Sequence, residues 1–239
     1  MTDGNRATGW FTGICLLLGL LGLGYQLGHA LLGMKALERS VTVKGLSERE
    51  VAADVVIWPI RFTAAGNDLA GLYDNLEAST ARIRDFLQGN GFSADEISVS
   101  APTITDRSAQ QYAGNDHAVY RYAASQTVTV YSGKIAAARA LMTRLSELGK
   151  QGIALSGDNY QSQTEYLYTH LNDLKPAMIE EATRQARAVA EKFAADSHSR
   201  LGRIRRASQG QFSISDRDRN DPHIKKVRVV STVEYYLSD

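Results

Sequence analysis

A chain of 239 residues that is 44% apolar and 22% charged has the composition of a folded protein rather than a disordered one. Its 27 basic and 26 acidic side chains leave a formal charge of +1, which lacks the electrostatic footprint of a nucleic-acid binder. One cysteine excludes an intramolecular disulfide scaffold.

The first element is an apolar run from Trp10 to Leu32 that carries no charged residue and is long enough to cross a bilayer as a helix. The spacing predicts a tail over 1–9, a single transmembrane signal anchor over 10–34, a linker over 35–39 and a water-soluble domain over 40–239. A cleaved signal peptide is the alternative, with a small-x-small site at Gly28-His29-Ala30. A secretory apolar region is about 7 to 15 residues, shorter than this run, and only Arg6 precedes it as a basic side chain. Gly9, Gly13, Gly24 and Gly28 form two small-xxx-small pairs, which glycine-rich membrane helices show often enough to carry no dimer. Cys15 follows Ile14 near the start of the run, so it does not fit a lipoprotein signal, and it leaves the soluble part without a thiol. Lys35, Arg39, Lys44 and Arg49 follow the run, and charge alone would keep the domain in the cytoplasm. A short tail can be translocated in either sense, so charge leaves the orientation open.

After the linker, Val41 and Val43, then Val56, Trp58, Ile60 and Phe62, alternate with polar neighbours as a β-hairpin with a turn around Ser47 to Asp54. Pro59 has no N–H to donate and predicts an edge or a bulge in the second strand. Leu69, Leu72, Tyr73, Leu76, Thr80, Ile83 and Leu87 fall on one helical face, capped by Asn67 or Asp68 and ended at Gly89-Asn90-Gly91. Ile97 to Asp106 and Val119 to Tyr131 read as a long hairpin. A second amphipathic helix follows over Ile135 to Leu148, and then a strand from Ile153 towards Tyr168. The longest helix runs from Asn172 to about Ser197, with Pro176 in its first turn and Met178, Ala182, Ala186, Val189 and Phe193 on its inner face. Its Glu180, Glu181, Arg184, Arg187, Glu191 and Lys192 read as a paired, solvated surface. Strands over Gly202 to Ile214 and Ile224 to Leu237 close the chain, with Val227, Val229, Ser231, Val233, Tyr235 and Leu237 on one face. The order ββαββαβαββ predicts an α+β fold: a two-lobed domain of antiparallel sheets with about three amphipathic helices. Its long strands leave sheet edges for another copy to cover, which makes homo-oligomerisation an expectation.

Chemistry is sparse. Asp216, Asp218, Asn220 and their neighbours alternate as in a calcium loop, but the sixth position is Asp221 where glycine belongs and the twelfth is Val227 where glutamate belongs. A charged hairpin turn is the simpler reading. His29, His117, His170, His198 and His223 show no ligand spacing, and no phosphate loop or nucleophile elbow appears, so no catalytic, cofactor or metal residue is assigned. Tyr120, Tyr122, Tyr160, Tyr166, Tyr168, Tyr235 and Tyr236 are candidates for stacking on a ligand or for half-buried sheet surface. Arg200, Arg203, Arg205, Arg206, Lys225, Lys226 and Arg228 could form a patch on adjacent strands. Salt bridges with Glu234 and nearby aspartates explain it without nucleic acid. With Arg6 and Asp3 set aside, the soluble part holds 26 basic residues against 25 acidic ones.

The string RSVTVKGLSEREVAADVVIWPIRFTAAGNDL from Arg39 to Leu69 resembles the opening of bacterial SIMPL-domain proteins. SGDNYQSQTEYLYTHLNDLKPAMIEEATRQAR from Ser156, LGRIRRASQGQFSI from Leu201 and KKVRVVSTVEYYL from Lys225 are similar to the same family, over about Ser40 to Leu237. The resemblance names no active site. It implies an envelope protein with its domain in the periplasm, and relatives linked to oxidative-stress tolerance and to ring-like homo-oligomers. Kinase signalling, as in the animal adaptor that gave the family its name, does not carry over. The expectation is a non-enzymatic scaffold held in the inner membrane by residues 10–32. A small-molecule or peptide-binding module is the second reading, its ligand unknown. An enzyme is the third.

Overall fold

The computed structural model describes residue 13 and residues 16–29, 39–109, 119–156 and 163–238. Residues 16–29 form a helix, α1, whose leucines from Leu16 to Leu27 are exposed around its circumference. At 1.5 Å per residue these 14 residues rise about 21 Å, against the roughly 30 Å of a hydrocarbon core. No described helix is long and apolar enough to cross a membrane. The remainder of the expected 10–34 span lies outside the described residues.

The rest is α+β and resolves into two compact units, each drawing on separated stretches of chain. One comprises Arg49–Leu174 and Ile214–Val227. Its six-stranded sheet runs β3 (Ile97–Val99), β5 (Tyr122–Ser132), β2 (Val55–Gly66), β6 (Ala154–Leu155), with β4 (Thr103–Asp106) on β5 and β7 (Glu165–Leu167) on β2. All of these pairings are antiparallel. One face of the sheet buries Val56, Trp58, Ile60, Phe62, Val128 and Val130 against helix α2 (Leu69–Gly89) and its Leu72, Leu76, Ile83 and Leu87. Asp68, not Asn67, is the cap: its carboxylate accepts the Gly71 N–H at 2.7 Å. Gly91, at φ +95°, takes the left-handed position that ends α2. Leu69 and Tyr73 turn out to solvent, because the buried stripe is narrower than the apolar pattern.

Several expectations are corrected here. Pro59 lies in a central strand, not at an edge or bulge. It pairs with Thr129 of β5, while on its other side β7 reaches only Ile57 and β6 begins at Phe62. Among the described residues no strand partner stands opposite Pro59 on that side, so no described ladder bond calls on the N–H that proline lacks. Ile97 to Asp106 is split into β3 and β4 at Ser100-Ala101-Pro102, where proline interrupts the ladder. The helix expected over Ile135 to Leu148 is two short ones, α3 (Ile135–Met142) and α4 (Ser146–Lys150), so among the described residues the domain after α1 holds four α-helices where about three were expected. Of the strand expected from Ile153 to Tyr168 the described residues show β6 and β7; residues 157–162 between them lie outside the described residues.

The other unit comprises Met1–Glu48, Lys175–Ser213 and Arg228–Asp239. Its sheet has the order β1 (Ser40–Ala52), β10 (Ile224–Ser238), β8 (Arg200–Gln209); β9 (Ser213–Asp216) also pairs with β10. The expected hairpin of β1 with β2 does not form: β1 runs on to Ala52 and pairs with β10, whereas β2, only Ala53 and Asp54 further on, pairs with β5 in the other sheet, because each strand finds its partner far away in the chain. Helix α5 (Leu171–Asp196) contributes Met178, Ala182, Ala186, Ala190 and Ala194 as its buried stripe. Val189 and Phe193, expected inside, face out at 38% and 54% exposure. The reason is the closeness of helix and sheet: a Cβ on Gly45 of β1 would overlap the Ala182 carbonyl oxygen and stand 2.5 Å from the Ala186 nitrogen. Only alanine fits such a gap, so the larger side chains one position earlier in the turn are displaced. His198, at φ 53°, ends α5, with its N–H on Ala195 O and that of Ser199 on Ala194 O.

Candidate functional site

β8 is the least covered of the long strands. Its sequence RLGRIRRASQ leaves every residue exposed except the half-buried Leu201, and its only strand partner among the described residues is β10. The register, Val233 to Ala207, Tyr235 to Ile204 and Leu237 to Leu201, contains two irregularities that twist the edge. Tyr235 is buried, yet Ile204 beside it is 50% exposed. Of the four arginines, Arg205 bonds Glu234 at 2.8 Å, and Ser40 donates to the same carboxylate at 2.6 Å. Those bonds hold the Glu234 carboxyl below its usual range, the serine bond contributing most. Arg206 faces Glu234 in the register and its charge also lowers that carboxyl, while Arg200 and Arg203 have no side-chain partner among the described residues. The edge is thus basic, ten residues long and uncovered, with Ile204 and, on α5, Val189 and Phe193 as exposed apolar groups. Sequence pattern assigned the last two to the core; the alanines at strict i, i+4 spacing were the signal that pointed elsewhere.

The basic patch expected across β8 and β10 does not form as one surface. β8 pairs with Ser231–Ser238, whereas Lys225, Lys226 and Arg228 lie beyond its last partner. Lys225 is 7% exposed and bonded to Asp216. In the loop that resembles a calcium site, the Arg217 guanidinium takes the place a cation would, bonding Asp218 at 2.8 Å and Asp221 at 2.5 Å. Asp218 also accepts the N–H groups of Asn220 and Asp221, so the segment is a charged β9–β10 turn. Among the described residues no three potential ligands cluster for a metal.

The histidines and tyrosines are scattered. His29 meets Tyr25 within α1, and His117 and Tyr160 lie outside the described residues. His223 Nε2 stands 3.0 Å from Arg139. Tyr166 is core, its hydroxyl on the Met142 sulfur, and Tyr122 borders that core. Tyr120 is exposed, Tyr235 is buried, and Tyr236 lies under the Arg205 guanidinium. The closest histidine–carboxylate pair among the described residues is Asp54 with His170, whose Nδ1 is 2.6 Å from the carboxylate; His223 Nδ1 stands 3.8 Å from Asp221. The hydrogen bond to Asp54 raises the His170 pKa. Partial burial pushes Asp54 up, but His170 and the Thr169 N–H and hydroxyl outweigh it and lower its pKa. With Thr169 and His170 both held just before Leu171, the pair braces the start of α5.

A family model matches residues 41–234: SIMPL, described as a protein of unknown function (DUF541). The chain belongs to the SIMPL family. No curated protein matches the sequence.

Proposed function

We propose that this SIMPL-domain chain is a non-enzymatic scaffold of the cell envelope that assembles with copies of itself through the edge of its β1-β10-β8 sheet. The observation that carries this reading is β8: among the described residues a ten-residue edge strand with one strand partner, exposed at nine of its ten positions. Long exposed edges template strand addition, and soluble monomers normally shorten or cover them. Pairing β8 with the β8 of a second copy would set four arginines against four. Pairing it with β1, the opposite edge, avoids that repulsion. Such a head-to-tail contact closes into a ring or propagates as a filament.

The same proposal places the chain in the inner membrane as a single-pass protein with its domain in the periplasm. Its supports are the charge-free Trp10–Leu32 run, the uncovered leucines around α1 and the resemblance to envelope proteins. A part in stress tolerance rests on that resemblance alone.

The test is the mass of the full-length chain in mild detergent, by light scattering, beside that of residues 36–239 in buffer. A large mass for both supports assembly by the domain, and the double variant Phe193→Ser, Ile204→Lys should then fall to a monomer with its fold intact. A monomer at all micromolar concentrations overturns the scaffold reading. A C-terminal alkaline phosphatase fusion, active only outside the cytoplasm, tests the orientation.

A further inference from the structure

The six-stranded sheet has a second face, opposite its core, and a hollow of about 480 Å³ lies on it. Alternation along the strands turns Arg61, Thr63 and Ala65 of β2, Ala123 and Ser125 of β5 and Thr103 and Thr105 of β4 to this side, because Phe62, Ala64, Ala124 and Ile104 pack inward. The register then builds the floor. Thr103, Ser125, Thr63 and Ala154 lie in one row across four strands spaced about 4.8 Å apart. Thr105, Ala123 and Ala65 form the next row, and the two alanines leave the space that makes the hollow.

The lining has too many donors. Arg61 and Arg107 both border the hollow, and among the described residues no carboxylate does. Arg61 is half-buried, yet among the described residues its only side-chain bond is to Ser125 Oγ, at 3.1 Å. Arg107 has no side-chain partner among the described residues. A guanidinium carries five N–H groups, so one bond leaves four unused on Arg61. Ser125 accepts from Arg61 and keeps its own proton to donate. The Thr103 and Thr105 hydroxyls have no partner among the described residues, and Thr63 reaches the Ala154 carbonyl only at 3.5 Å. Two guanidinium groups with no carboxylate partner among the described residues, over a hydroxyl floor, call for an acceptor-rich, negatively charged ligand, and the volume is that of a small-molecule site.

We infer that this hollow binds a small organic oxyanion, a carboxylate or a phosphate, held by Arg61 and Arg107 over the Thr103-Ser125-Thr63 row. The site belongs to the Arg49–Leu174 and Ile214–Val227 unit and does not depend on the assembly reading.

The experiment is calorimetric titration of the full-length protein in mild detergent with succinate and, separately, inorganic phosphate. One saturable site per chain, in the low-millimolar range or tighter, is expected for at least one probe, and which probe binds separates carboxylate from phosphate. Arg107→Gln and Arg61→Gln should each weaken it about tenfold or more, since each removes a charge-assisted bond, and the double variant should abolish it. Ala123→Leu should also block binding by filling the floor while leaving both charges in place. Arg121→Gln, whose parent arginine is paired with Asp106 outside the lining, should bind as the native chain does. Absence of saturable heat with both probes at millimolar concentration overturns the site, as does binding that survives the double variant or the filled floor.

Discussion

The two units are stabilised in opposite ways. The one with the six-stranded sheet is held by volume: Trp58, Phe62, Leu76, Ile83, Leu87 and Leu148 fill the space between its sheet and its helices. The one built on β1, β10 and β8 is held by closeness, with alanines of α5 pressed on Gly45 and a small cluster around Val43, Val233 and Tyr235. A core built on closeness buries less apolar area per residue, and it leaves large side chains such as Phe193 and Ile204 outside. The difference teaches where stability is self-sufficient and where a second copy has the most to add.

Substitutions sharpen the contrast. The largest expected effect is Phe62→Ala, which removes a fully buried ring and should destabilise by about 3–5 kcal/mol in denaturant unfolding. Gly45→Ala adds a single methyl group, yet it forces α5 off the sheet and should destabilise by about 2–3 kcal/mol, an overpacking effect. Equal and small losses for both would break the comparison.

Glu96→Gln comes next. Burial pushes the Glu96 carboxyl up, but Lys134, Ser132 and Ser93 outweigh it and hold it at about 2. The bonds are 2.8 Å from Lys134 and 2.5 Å from Ser132. Because the folded pKa is lowered, this contribution is present above about pH 4.5 and is lost as pH falls towards 2. The substitution should remove about 1–2 kcal/mol at pH 7 and flatten the acid limb of the stability curve.

At α5's exit, His198→Gly should raise stability by about 0.5–1 kcal/mol, because glycine adopts the left-handed conformation without strain. The smallest effect is electrostatic and is read by NMR titration. The His170 imidazole should titrate above its ordinary 6.5 and return to it in Asp54→Asn. With the histidine raised and the aspartate lowered, the pair's stabilisation is complete between about pH 3.8 and 6.5. It fades as pH rises through the histidine's raised value or falls through the aspartate's lowered one.

Periodicity made most of the elements legible. The α2 face, the β10 face from Val227 to Leu237 and both ends of α5 within a residue or two follow from spacing, since burial on one side repeats every 2 or 3.6 residues. Breaks were less visible. Nothing local shows that Met142 ends a helix or that Pro59 lies in a central strand paired with β5, because both depend on what packs alongside. The arginine hollow was illegible for the same reason: Arg61, Ser125 and Thr103 are far apart in the chain, and only strand register brings them together.

The sequence by itself determined the family, the α+β class and the charge-free N-terminal run, because composition and periodicity are properties of contiguous residues. Tertiary structure alone decided which unit each strand joins, that α5 turns alanine and not phenylalanine inward, and that β8 is left uncovered. Those outcomes depend on the distance between backbones remote in the chain. At Gly45 that distance is too short for a methyl group.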